Sequence, residues 1–487
     1  MPYLPYHEPQ IIDVLILISF FFFLAVAEWL GNKIIRAGLI GQILVGIIYG
    51  APLGSILTLG WQESFLALGY IGLLFIIFEG GLTIRLDLLR QNLFLSVIAA
   101  LLGILTPIAL SFALLYAGFG HTPLEAFIVG TALCSTSLGT TFVVINSASK
   151  ETDFSQTRIG TVLISAAVFD DVCGLVLVSV IHQLRGIADG PGDLGWIIGR
   201  PILASGLLAV LTPVIAKLVA GPLFRRHGEG LMARFKHVSN ILLMVLVLCA
   251  FLAISAYAGA SMLFGAFLAG TFLSSLPSQV HKGPFVVTSK QEGEDTPGKT
   301  PTFIHSFEHY IGSAQQYVLQ PLFFASIGFA IPFLDLWTGE MIWKGLVLTV
   351  LMVFSKLIVG IVVPIWDIIH LKFQKPSSEK ATIRQVMAAG WAPATLLGMA
   401  MVARGEIGLL IIQIGLNETP YLTKEAFLIG VWAIVLNTII GPVSVGVLLK
   451  RVGTRIANDK EWGIQIKRQE TDVESVVTMQ QRGGPLT

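Results

Sequence analysis

The chain has 487 residues, 54% hydrophobic and only 13% charged, with a mean hydropathy of +0.79. A soluble domain carries about 25% charged residues, so this composition excludes one and points to a polytopic membrane protein. The net charge of +1 offers no basic field for nucleic acid, and Cys134, Cys173 and Cys249 lie inside apolar runs with neither disulfide nor metal spacing.

The opening MPYLPYHEPQ lacks the basic segment of a cleaved signal peptide, so the first apolar run reads as a retained helix. Apolar runs near 11–30, 34–52, 64–81, 93–117, 123–147, 157–183, 194–220, 237–257, 259–277, 306–332, 341–366, 389–415 and 424–449 predict about thirteen transmembrane spans. Helices are expected, because in lipid each run must satisfy its own backbone hydrogen bonds. Residues 1–450 thus form a membrane domain. The stretch 277–303, polar and rich in Gly and Pro, predicts a flexible cytoplasmic loop. Residues 451–487 predict a short cytoplasmic tail, too small for a nucleotide-binding regulatory domain.

Lys and Arg alternate sharply between the two sets of loops. Lys33, Arg36, Arg85, Arg90, Lys150, Arg158, Arg225, Arg226, Lys372 and Lys375 fall on one side, while the opposite loops hold only Arg185, Arg200, Lys344 and Lys424. The basic side is cytoplasmic by the usual bias, which puts the N-terminus outside, the tail inside, and makes the number of spans odd. No organelle signal is evident, so the plasma membrane is the default. The sequon Asn417-Glu418-Thr419 lies outside but close to the membrane and before Pro420, a poor acceptor.

Two spans have interrupted centres. In the fifth, Ser135, Thr136, Ser137, Gly139, Thr140 and Thr141 replace the apolar middle; in the twelfth, Arg404, Gly405 and Glu406 stand mid-span. Spans seven apart cross in opposite directions, and paired broken segments point to an inverted-repeat transporter and to its site. A small-residue packing face would explain the fifth span equally well. It would not explain a buried Arg and Glu.

The sixth span carries Asp170 and Asp171 side by side, with no charged residue between Arg158 and the pair or between the pair and Arg185. One carboxylate at mid-bilayer costs at least roughly 2.5–3.5 kcal/mol, and folding alone gives no reason for two. They lie about 100° apart around the helix, so one can take a salt bridge while the other faces a cavity. Lys356, mid-span in VLMVFSKLIVGIVVP, is the obvious partner. The second aspartate is then free to hold either a proton or a hard cation such as Na+, with hydroxyl and carbonyl oxygens from the fifth span as further ligands. Asp13, Glu28, Glu308 and His309 read as interfacial, and Glu79 as either interfacial or a gate.

These motifs resemble the cation/proton antiporter superfamily, in particular its electrogenic sodium/proton branch. The likeness runs in family order through IGQILVGIIYGAPLG (Ile40–Gly54), ALCSTSLGTT (Ala132–Thr141), AAVFDDVCGLVL (Ala166–Leu177), FGAFLAG (Phe264–Gly270), QPLFFASIGFAI (Gln320–Ile331), FSKLIVG (Phe354–Gly360) and MVARGEIGLLI (Met401–Ile411). The resemblance implies an all-α elevator-type fold, a homodimer, and two crossing discontinuous helices beside the aspartates. It implies a core domain with helices near 64–81, 93–117, 123–147, 157–183, 306–332, 341–366, 389–415 and 424–449, some of them partly dimerisation elements, the remaining helices lying on the dimer side. By carry-over Asp171 is the principal carboxylate for the transported Na+ or K+ and for protons, Asp170 pairs with Lys356, Thr136 and Ser137 lie at the crossing, and Arg404 and Glu406 support the broken twelfth span. An Asp-Asp pair with a Lys goes with electrogenic exchange. Two positions depart: EGGLTI around Glu79 resembles the electroneutral branch, and Gln42 stands where an acidic residue is usual. Both are candidate gate residues.

The expected activity is therefore exchange of Na+, or of K+ or Li+, for H+ by alternating access, with the lipid bilayer as partner, no cofactor and no enzymatic step. A K+/H+ antiporter or K+ efflux pathway of the same superfamily is the nearest alternative, then an ion-coupled solute symporter or a sensor. An intramembrane aspartyl protease needs its aspartates on different helices; the one Gly-x-Gly-Asp string, Gly190–Asp193, lies in a polar loop.

Overall fold

The computed structural model describes residues 6, 8–84, 92–137, 154, 157–188, 194–276, 302–373, 383–459 and 461–463. Gly139, Thr140 and Thr141, the string Gly190–Asp193, the loop 277–301 and the tail beyond Gly463 lie outside them. Every regular element described is helical: α1 (Ile11–Ile34), α2 (Gly38–Tyr49), α3 (Leu59–Thr83), α4 (Leu93–Ser111), α5 (Pro123–Ala132), α6 (Arg158–Ala188), α7 (Leu194–Ile215), α8 (Glu229–Ala258), α9 (Met262–Ser275), α10 (Phe303–Phe307), α11 (Gln320–Phe329), α12 (Gly339–Val359), α13 (Val362–Phe373), α14 (Ile383–Ala400), α15 (Glu406–Glu418) and α16 (Lys424–Ala457), with short π and 3-10 turns between some of them. Among the described residues eight helical stretches are long and apolar enough to cross a membrane. Each range expected from the sequence carries helix, and Thr302 caps α10 at the end of the expected loop.

The chain folds as two compact units. The first comprises Met1–Arg85, Val172–Met341 and Leu409–Leu428. Its helices meet backbone to backbone at small residues. A Cβ on Gly46 of α2 would stand 2.1 Å from the Ala325 carbonyl oxygen of α11, and one on Gly270 of α9 would stand 2.3 Å from the Phe78 carbonyl oxygen of α3. Lipid is as apolar as leucine, so such close packing, rather than a hydrophobic difference, holds membrane helices together. Phe20 stacks on Phe65 at 5.4 Å between ring centroids, with Tyr49 and Phe329 beside them. Gly259 ends α8 in the left-handed region at φ 89°, where a glycine carries no Cβ penalty.

The second unit comprises Leu86–Asp171, Ile342–Gly408 and Ile429–Thr487. It holds α4, α5, the first half of α6, most of α12, all of α13 and α14, and most of α16. Its core gathers Leu95, Ile159, Leu163, Val359, Leu397, Val445 and Trp462. Of the ranges expected for a core domain, those near 64–81 and 306–332 lie mainly in the first unit. The division within α6 falls between Asp171 and Val172.

Candidate functional site: a charge cluster at two helix breaks

Helix α5 starts cleanly. Pro123 opens it, the Thr122 hydroxyl accepts from the Glu125 N–H at 3.3 Å, and the Glu125 carboxylate accepts from the Thr122 N–H at 2.7 Å. It stops at Ala132, ahead of Ser135, Thr136 and Ser137, whose hydroxyls compete with the helical ladder. Helix α14 stops at Ala400 and the chain is helical again only from Glu406. The two interruptions touch. The Ser137 N–H donates to the Ala403 carbonyl at 2.9 Å. A Cβ on Gly405 would come within 2.6 Å of the Ser137 Cβ, and one on Gly408 within 2.5 Å of the Ala132 carbonyl oxygen. Helix α16 braces the second break, with the Thr438 hydroxyl donating to the Arg404 carbonyl at 2.9 Å.

A broken helix leaves unpaired carbonyls at its C-terminal end, where the helix dipole is negative. Two buried cations meet the carbonyls just past the end of α5. Lys356 Nζ donates to the Cys134 carbonyl at 2.7 Å, and Arg404 Nη1 to the Ser135 carbonyl at 3.0 Å. Glu406 sits in the first turn of α15, at the positive end of that dipole.

The neighbouring aspartates have different surroundings. Asp170 is 0% exposed. Its Oδ2 accepts from Lys356 Nζ at 2.8 Å and from the Thr136 hydroxyl at 2.8 Å, while Lys356 also donates to that hydroxyl at 3.0 Å. Lys356 is 0% exposed as well, so the pair is sealed. Helix α4 passes close by: a Cβ on Gly103 would stand 3.2 Å from both Asp170 Oδ1 and Lys356 Nζ. Asp171, one residue on, is partly exposed, as is Glu406. The charges that act on Asp171 are Glu406 first, then Asp170, both repulsive when ionised, and Lys356, which attracts. With all five groups ionised, Lys356 and Arg404 would supply two positive charges and Asp170, Asp171 and Glu406 three negative ones, an excess of one that a single proton or monovalent cation neutralises.

The second unit therefore brings together Asp170, Asp171, Thr136, Ser137, Lys356, Arg404 and Glu406. Glu79 and Gln42 belong to the first unit, where Gln315 donates to Glu79 at 2.7 Å and Gln42 to Glu28 at 2.9 Å. Sequence reasoning expected carbonyls of the fifth span without saying which, and it missed Gly103 and Thr438. A polar Asn437-Thr438 pair in the last apolar run was a usable signal for the last; a carbonyl has none.

A family model described as sodium/hydrogen exchanger, transmembrane, matches residues 16–451. The chain belongs to the sodium/hydrogen exchanger family. It is an integral, multi-pass membrane protein of a transporter family that moves ions without a cofactor, and monovalent cation/proton antiport is its activity. A probable Na+/H+ antiporter, GerT, of Bacillus cereus is 26% identical over 404 residues, 82% of this chain and 89% of the relative. A Na+/H+ antiporter of Enterococcus hirae is 26% identical over 436 residues, 88% of this chain and 96% of the relative. The fold is similar to the solved structure of the sodium proton antiporter MjNhaP1 of Methanocaldococcus jannaschii, with a TM-score of 0.58 at 17% identity, covering 90% of this chain and 98% of that one.

Proposed function

We propose that this antiporter exchanges Na+ for H+ by alternating access, with Asp171 as the carboxylate that holds the cation and the proton in turn. The observation that carries this reading is the contrast within the aspartate pair. Asp170 is committed to Lys356 and Thr136, while Asp171 is partly exposed in a cluster where three carboxylates share two cations. A cation binds at Asp171, with oxygens of the crossing segments as further ligands, and displaces a proton; the proton returns when the site opens to the other side. Asp170 and Lys356 keep the broken helices in place, Thr136 and Ser137 form the crossing, and Arg404 and Glu406 hold the second break. The Asp-Asp pair with Lys356 favours electrogenic exchange, which moves a second proton per cation beyond the one that Asp171 holds, through an elevator-like movement in a homodimer. Glu79 and Gln42, in the first unit, act as gates. The N-terminus outside and the tail in the cytoplasm is the arrangement the loop charges favour, with the plasma membrane as the default location.

Currents on a solid-supported membrane, recorded with Na+, Li+ and K+ across pH, test this reading. Na+-triggered currents that vanish in Asp171→Asn are expected. Exchange without current would make it electroneutral. A K+ response equal to that for Na+ would favour the K+/H+ reading, which the name of one relative, a Na+/H+-K+ antiporter of Bacillus cereus, also suggests. Dependence on an organic solute would replace both.

A further inference from the structure

The chain just after the last helix does not simply trail away. Asp459, Glu461, Trp462 and Gly463 turn back on the end of α16 and close over the first turn of α6, the helix that carries both aspartates. The first four N–H groups of a helix have no partner of their own. In α6, those of Gly160 and Thr161 donate to the side chain and carbonyl of Thr157, at 3.1 and 2.9 Å. The other two are met from the far end of the sequence: the Arg158 N–H donates to the Gly463 carbonyl at 3.1 Å and the Ile159 N–H to the Trp462 carbonyl at 3.2 Å.

Side chains fasten the same contact. Arg158 Nη1 pairs with Glu461 Oε1, and its guanidinium lies 5.3 Å from the Trp462 ring and 5.6 Å from the Trp366 ring. Asn92, just before α4, accepts from Arg158 Nε at 3.4 Å. Trp462 is 1% exposed, and its indole N–H donates to Asp367 of α13 at 2.9 Å. The Asp459 carboxylate accepts from the N–H groups of Glu461 and Trp462, both at 2.9 Å, which sets the turn. All these residues belong to the second unit. Trp462 belongs to the same buried apolar cluster as Ile159, Leu163, Val363 and Leu449, which anchors the segment to the core beside α6.

We propose that Asp459, Glu461, Trp462 and Gly463 form a positioning strap: by capping and clamping the first turn of α6 they fix the axial position of that helix, and so set the apparent affinity of the Asp171 site for its cation. The inference rests on the reading of Asp171 as the exchange carboxylate. A helix transmits an axial shift along its length, and Asp171 lies about 20 Å from Arg158 at 1.5 Å per residue. The strap residues touch no transported ion and act only through α6.

Two truncations of the full chain, reconstituted in liposomes and assayed for Na+-triggered proton release, test it. Removing 464–487 leaves the strap and should leave the KM for Na+ unchanged. Removing 458–487 takes the strap away and should raise that KM about three- to tenfold, the scale of one or two hydrogen bonds lost from a positioned element. A merely structural role would lower the yield of folded protein and leave KM alone. If the longer truncation fails to insert, Glu461→Arg and the double variant Arg158→Glu with Glu461→Arg decide: the single change should raise KM and the exchanged pair should bring it back toward the full chain. An unchanged KM in the strapless or Glu461→Arg protein overturns the strap, provided Asp171→Asn is inactive in the same vesicles. Normal exchange by Asp171→Asn overturns the site reading instead.

Discussion

In the first unit, α2, α3, α9 and α11 meet at glycines, and the polar side chains at its candidate gates are paired, Gln42 with Glu28 and Gln315 with Glu79. In the second, two interrupted helices gather three carboxylates, a lysine and an arginine, and the two cations donate to the Cys134 and Ser135 carbonyls. Both units are built from equally apolar runs, so composition does not explain the difference. Continuous helices keep their carbonyls in their own ladders and offer nothing to a buried charge. Helix breaks release carbonyls, and those carbonyls make it feasible to keep Lys356 and Arg404 wholly buried. Close packing gives the first unit its cohesion; the second takes on the cost of desolvated charge, which is what the proposed ion site requires.

The contrast can be broken most decisively at Asp171. Asp171→Asn removes the excess negative charge and should reduce Na+-dependent proton release in vesicles to background; release near the unmodified rate would transfer the function elsewhere. The next largest effect is on stability. Lys356→Ala leaves Asp170 buried without its cation and should cost about 3–5 kcal/mol, read as a loss of thermal stability in detergent. Adding Asp170→Asn to that variant should restore part of the loss; equal melting of both variants and the original would dissolve the pairing argument. A substitution in the first unit should act differently. Gly46→Ala drives a methyl group into the Ala325 carbonyl and should cost about 1–3 kcal/mol of stability, while the KM for Na+ stays where it was. A changed KM there would mean that packing in the first unit reaches the site. Smallest is Thr136→Val, which takes one hydroxyl from Asp170 and Lys356 and should cost about 0.6–1.5 kcal/mol, measurable as a modest shift in melting.

Much of this contrast was legible in the chain itself. The ARGE stretch of the twelfth span announced a break, because Arg404 and Glu406 have no place in an unbroken lipid-facing helix. The single mid-span lysine announced a partner for one aspartate. Gly103 was not legible: among so many glycines nothing marked the one that stands against the Asp170–Lys356 pair. The sequence pointed to carbonyls of the fifth span but not to those of Cys134 and Ser135, since every residue has one and only the fold decides which of them Lys356 and Arg404 reach. Trp462, in the polar run DKEWGIQ, was the visible trace of the strap, since an isolated tryptophan among charged residues asks what it packs on.

By itself the sequence determined that the chain lives in a membrane, where its helical runs fall, and that a pair of carboxylates sits where lipid would reject them. These are local properties, set by composition over a single turn or a single span. Which aspartate is sealed and which is open was decided only by tertiary structure. Helical periodicity puts the two about 100° apart but leaves the rotation of the helix undetermined. The rotation follows from Lys356, Thr136 and Gly103, which reach Asp170 from other elements of the chain and leave Asp171 partly open.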